Sequence, residues 1–168
     1  HTADAAGYTF TLVVAKPSSI HAVARALSER GETLSTLLGS RRVTVVDAAA
    51  TLQAFMSGAE RDPDRFFAVV GPLVRHRREA SPGPLRVYGE MVDILATEGN
   101  FQGAMKLERM WNGLLAAQPV RLMCGYLAPH FATPDAADAL HEICECHDEV
   151  LHDSADSLAT WLLTRGAV

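Results

Sequence analysis

Three groups of side chains in this chain have the types and spacing to do chemistry. Glu90 follows the apolar run Leu85 to Tyr88 and opens a helical stretch. A carboxylate there gains from the positive end of the helix dipole. It reads either as a helix N-terminal acid or capping residue, or as a hydrogen-bond acceptor for a ligand beyond the strand end. Glu108 and Asn112 stand about one helical turn apart beside Trp111. At about 100° per residue, Phe101, Ala104, Leu107, Trp111, Leu114 and Leu115 share one arc, with Glu108 inside it and Asn112 at its edge. A charge on an apolar face is costly unless paired. Glu108 is therefore expected to join a network, with Arg86 or Arg121 as partners, or to meet a ligand.

The third group is Cys124 with His141, Cys144, Cys146 and His147. From Asp135 onward Ala136, Leu140, Ile143, Cys144, His147, Val150 and Leu151 fall on one helical face, while Cys146 falls with Glu142 and Glu149 on the polar side. A CxCH run on a helix does not aim all three side chains at one ion, and it is not the CxxCH of haem attachment. Cys124, Cys144 and His147 converge if this helix packs beside the strand carrying Cys124. Core packing of apolar thiols is one reading; a metal or thiol-redox sensor is the other.

Familiar enzyme signatures are missing from the sequence. It contains no GxxxxGK[ST] phosphate loop, no GxGxxG turn, no GxSxG elbow, no HExxH and no paired CxxC. No activated nucleophile or acid–base pair can be argued, so the chain is expected not to be an enzyme and to need no cofactor. With 15 Lys and Arg against 20 Asp and Glu the net charge is −5, which leaves no electrostatic footprint for nucleic acid. The basic run Arg75-His76-Arg77-Arg78 suits a helix C-terminus. No apolar run approaches the roughly 18 residues of a membrane span. Three cysteines without framework spacing point to a reducing, cytoplasmic setting.

The elements that must position these groups follow from periodicity and breakers. Tyr8 to Ala15, Arg42 to Val46, Leu85 to Tyr88 and Val120 to Cys124 read as strands, the first three rich in β-branched and aromatic residues. Helices are expected from Ser19 to Arg30, from Asp47 through Phe55 and Met56, from Pro63 to Ala80, from Glu90 to Thr97, from Asn100 to Ala117 and from Asp135. Ser81-Pro82-Gly83-Pro84 is the strongest breaker. Strands alternating with helices predict an α/β fold with an open, mainly parallel sheet covered on both faces. At 168 residues this is one domain.

Several separated motifs then resemble one family. Arg86-Val-Tyr-Gly-Glu-Met-Val, Ala96-Thr-Glu-Gly-Asn, Leu107-Glu-Arg-Met-Trp-Asn, Leu122-Met-Cys-Gly-Tyr and Ile143-Cys-Glu-Cys-His are similar to the MEDS sensory domain of methanogen and methylotroph regulators. Val45-Val-Asp-Ala-Ala-Ala-Thr-Leu with Phe55-Met56 extends the likeness. The resemblance implies a RecA/KaiC-like fold without its phosphate loop. It also implies a sensory role beside histidine kinases or transcription regulators. By similarity Glu90, Glu108, Trp111, Asn112, Cys124, Cys144 and His147 are its site candidates. The family pattern opens with a strand and helix of which this chain holds little, so that element is expected to be truncated here. Residues 152–168 are expected to form a terminal helix or connector.

The resulting expectation is a non-catalytic sensor for a small molecule near the strand ends. Glu90, Glu108 and Asn112 would be its polar anchors, and Trp111 and Tyr126 its walls. Output would pass to a histidine kinase, an anti-sigma-type protein or a transcription regulator. A ligand-free interaction module, a homodimer, and a metal or redox sensor using Cys124, Cys144 and His147 are the alternatives. Direct contact with nucleic acid or a membrane is not expected.

Overall fold

The computed structural model describes residues 10–57, 60–81, 83–151, 158, 159 and 162. Its first strand, β1 (Phe10–Ala15), is buried at every position, as a strand covered on both faces must be. β1 is followed by α1 (Pro17–Glu29), α2 (Leu34–Gly39) and β2 (Val43–Asp47). Then come α3 (Ala48–Ala54), a short pair β3 (Met56–Ser57) and β4 (Glu60–Arg61), and α4 (Pro63–Glu79). The chain continues through β5 (Leu85–Gly89), α5 (Met91–Thr97), α6 (Phe101–Ala117), β6 (Arg121–Cys124), a 3-10 turn (Ala128–Phe131) and α7 (Pro134–Glu145). The main sheet has the order β2-β1-β5-β6 and is parallel throughout. The fold is an open α/β sheet flanked by helices, as expected.

Alternation along the strands divides the core in two. Leu12 and Val14 of β1 and Leu85 and Val87 of β5 face α3, α4, α5 and α6, among Phe55, Phe66, Leu95, Leu107 and Trp111. Val13 and Ala15 face the other way, with Val23, Ala26 and Leu27 of α1, Leu37 of α2, and Tyr88. Leu158, Ala159 and Leu162 are buried in this second cluster. A terminal packing segment was expected in that region; the other residues from 152 to 168, and the proposed truncation before residue 10, lie outside the described residues.

Local chemistry explains most boundaries. Asp47 accepts the Ala50 N–H at 2.7 Å and starts α3; Asp62 accepts from Asp64 and Arg65 at the start of α4. Thr33 and Thr133 cap α2 and α7 in the same way. Such caps are each worth about 1 kcal/mol.

Two expectations need correction. The helix opened by Asp47 ends at Ala54 rather than running through Met56, because Met56 and Ser57 pair with Arg61 and Glu60 in an antiparallel ladder. The helix begun near Asp135 ends at Glu145, where the Cys146 N–H turns back to the Ile143 carbonyl. His147, Val150 and Leu151 therefore do not continue its apolar face; Val150 and Leu151 are exposed.

Candidate functional site

The carboxyl ends of β1, β5 and β6 deliver Lys16, Glu90 and the Gly125–Tyr126 pair to one edge of the sheet. That edge is where open parallel sheets place their ligands. Two polar clusters form there.

The first is built on α5. Glu90 occupies its N-cap position but does not cap it. Its carboxylate instead accepts the Lys16 N–H at 2.7 Å and the Tyr88 hydroxyl at 2.9 Å. It thereby ties the exit of β1 to the exit of β5. One turn along, Asp93 is only 1% exposed and collects three donors. These are the Lys16 ammonium, the Leu127 N–H at 2.8 Å and His130 Nδ1 at 3.0 Å. The Thr97 hydroxyl also lies beside the His130 ring, 3.3 Å from the same Nδ1. Sequence reasoning missed Asp93, Lys16, Tyr88 and His130. A signal for Asp93 was present, since it is the lone carboxylate among Met91, Val92, Ile94, Leu95 and Ala96.

The second cluster is centred on Glu108 of α6, 1% exposed. The Tyr126 hydroxyl donates to its Oε1 at 2.5 Å, and the Cys124 thiol to its Oε2 at 3.4 Å. His147 Nε2 lies 3.5 Å from the same Oε2. The expected pairing with Arg86 or Arg121 is replaced by these three. Arg86 and Arg121 sit side by side at the amino ends of β5 and β6. Three residues of strand, about 10 Å, separate that position from the end where Cys124 meets Glu108.

Of the residues singled out in the sequence, Glu108, Cys124, Tyr126 and His147 come together here. Asn112, one turn beyond Glu108, has an exposed side chain that donates to the Cys146 carbonyl at 3.1 Å. Glu90 belongs to the first cluster. Trp111 is buried in the core, edge-on to Phe66 with ring centroids 5.3 Å apart. The ligand atoms of Glu108, Cys124 and His147 all lie within 4.8 Å of one another. That grouping puts Glu108, not Cys144, beside Cys124 and His147. All three cysteines are free.

Electrostatics at Glu108 are dominated by burial, which holds its carboxyl above the ordinary value of 4.5; Tyr126, His147 and Cys124 pull the other way without reversing the shift. Burial and the neighbouring Glu108 also push the Cys124 thiol well up, so it is no activated nucleophile. Burial first, then Glu108, raises the Tyr126 hydroxyl. A carboxyl raised on folding adds stability that is complete below its unfolded value and is lost as pH rises through its folded value. Stability is expected to fall from pH 4.5 upward by at most about 1.4 kcal/mol per pH unit from this group. Glu108→Gln should remove that slope and gain on the wild type as pH rises. Urea titrations across pH, in buffer with chelator, check this; an unchanged slope in the variant would refute it.

A shallow concavity of about 270 Å³ lies between the start of α6 and α7, and none of Glu108, Cys124, Tyr126 and His147 lines it. Asn100, Phe101 and Met105 of the α6 segment line one side, and Asp138, Ala139 and Glu142 of α7 the other. No helix among the described residues is long and apolar enough to cross a membrane.

Neither the curated proteins nor the solved structures compared with the chain gave a match. The family model described as "MEthanogen/methylotroph, DcmR Sensory domain" matches residues 3–148, a span that includes both polar clusters. The chain therefore belongs to the MEDS family of sensory domains.

Proposed function

We propose that this sensory domain binds a small, weakly polar molecule beside the Glu108 cluster and relays its presence through the segment that follows α7. The observation that carries this reading is the convergence on one buried carboxylate. Glu108 is held by β6 through Cys124, by the β6 exit through Tyr126 and by the segment after α7 through His147. The Asn112 bond to the Cys146 carbonyl fastens that same segment to α6. A molecule that parts α6 from α7 would strain this latch, so occupancy would become a displacement of the chain beyond α7. Binding then moves a pre-existing equilibrium by its differential affinity for the shifted form. Val150 and Leu151, exposed just beyond the latch, offer apolar surface to a kinase or regulator partner.

The test is a thermal-shift screen with one- and two-carbon compounds, followed by hydrogen exchange on any hit. Those probes follow from the methanogen and methylotroph description of the family. A ligand at a hundred times its Kd stabilises by about 2.7 kcal/mol, or roughly 5–10 °C for a domain of this size. Exchange should change at residues 143–148. No shift with any compound or with small-molecule cell extract would overturn the reading.

A further inference from the structure

We propose that Glu108, Cys124 and His147 form a binding site for a borderline-soft divalent cation, with Zn²⁺ the closest fit. Four-coordinate zinc holds nitrogen, oxygen and sulfur ligands at about 2.0–2.3 Å, which sets the edges of its tetrahedron at about 3.3–3.8 Å. The Cys124 Sγ to Glu108 Oε2 separation is 3.4 Å and that from His147 Nε2 to Glu108 Oε2 is 3.5 Å. Two edges are thus already in place, and the third pair of ligand atoms is within 4.8 Å.

The surrounding bonds select the right atoms. His147 Nδ1 is 2.8 Å from the Ile143 carbonyl. A carbonyl only accepts, so Nδ1 carries a proton and Nε2 is the ring atom turned toward Glu108. A ring nitrogen facing a carboxylate oxygen needs a proton or a cation between them. Metal-binding histidines characteristically spend their other N–H on a carbonyl in this way. Tyr126 occupies Oε1 and leaves Oε2 as the ligand oxygen. Thiolate, imidazole and carboxylate together favour zinc over the all-oxygen preferences of magnesium and calcium. Binding releases the Cys124 thiol proton to solvent and leaves one tetrahedral position for water. Cys146 lies outside the set, its thiol turned to the Glu142 carbonyl.

The experiment is titration of the chelator-stripped 168-residue chain with Co²⁺, followed by displacement with Zn²⁺. One Co²⁺ per chain with a thiolate-to-cobalt charge-transfer band is expected. Cys124→Ser should abolish the band. Glu108→Gln and His147→Ala should weaken binding about tenfold or more. Cys144→Ser should keep both band and affinity. Circular dichroism establishes that each variant is folded, and His147, at the rim of the cluster, provides a substitution that leaves the core untouched. Binding of Co²⁺ and Zn²⁺ no tighter than millimolar by folded wild type would overturn the proposal. So would a band that survives Cys124→Ser, or full affinity in folded His147→Ala.

Discussion

Asp93→Ala is expected to lower the stability of the domain by about 2–4 kcal/mol. Removing one partner of a buried ion pair leaves the other without its counter-charge, which costs more than the pair contributes. Here the loss strands three donors at once: the Lys16 ammonium, the Leu127 N–H and His130 Nδ1. Lys16 is 23% exposed and can turn partly to water, which keeps the figure below the upper range for fully buried pairs. The melting temperature should drop by roughly 5–15 °C. Asp93→Asn retains an acceptor for the Leu127 N–H and should cost about half as much. Denaturant midpoints for both variants, with hydrogen exchange at Leu127, make the comparison. Equal effects from Ala and Asn, or a loss under about 1 kcal/mol, would show that the network is not what joins the 3-10 turn to α5.

The physical reach of each determinant decided what could be read from the chain. Caps and breakers act over three or four residues, so Asp47, Asp62 and the Ser81–Pro84 breaker placed β2, α3, α4 and β5 to within a residue or two. The four-stranded parallel sheet follows from those placements. The β3–β4 pair was illegible because two residues per strand are too few to show a period. The end of α7 was missed because neither Gly nor Pro stops it; Cys146, in an ordinary helical conformation, closes it through backbone bonds alone. At the site, Glu108 stood out as a carboxylate on an apolar arc, but its partners were chosen by tertiary packing. Cys124 and Tyr126 reach it from 16 and 18 residues away. Lys16 meets Asp93 across 77 residues, a pairing with no local signal in the chain. Periodicity could propose that a polar group is buried; only the fold could say which strand end answers it.

Gly125→Ala is expected to cost about 2–4 kcal/mol and to disturb both clusters together. Gly125 follows β6, and its N–H bonds to the Gly89 carbonyl at 2.9 Å, extending the β5–β6 pairing by one step. A methyl group there would lie 2.2 Å from the Tyr88 hydroxyl and 2.9 Å from the ring carbon that bears it. Tyr88 has little room to yield, since it is buried in the same core cluster as Val13 and Leu27 and its hydroxyl is held by Glu90. The methyl group must therefore push Tyr88 off Glu90, or push Tyr126 and Cys124 away from Glu108. Tyr88→Phe removes the closest atom of the clash while giving up one hydrogen bond, at about 1 kcal/mol. Combined with Gly125→Ala it should recover part of the loss. The double-mutant cycle is then expected to show favourable coupling above about 1 kcal/mol. Full additivity would mean that the chain relaxes around the methyl group without touching Tyr88. Coupling would identify the contact between Gly125 and Tyr88 as the point where the Glu90 and Glu108 clusters are held in register.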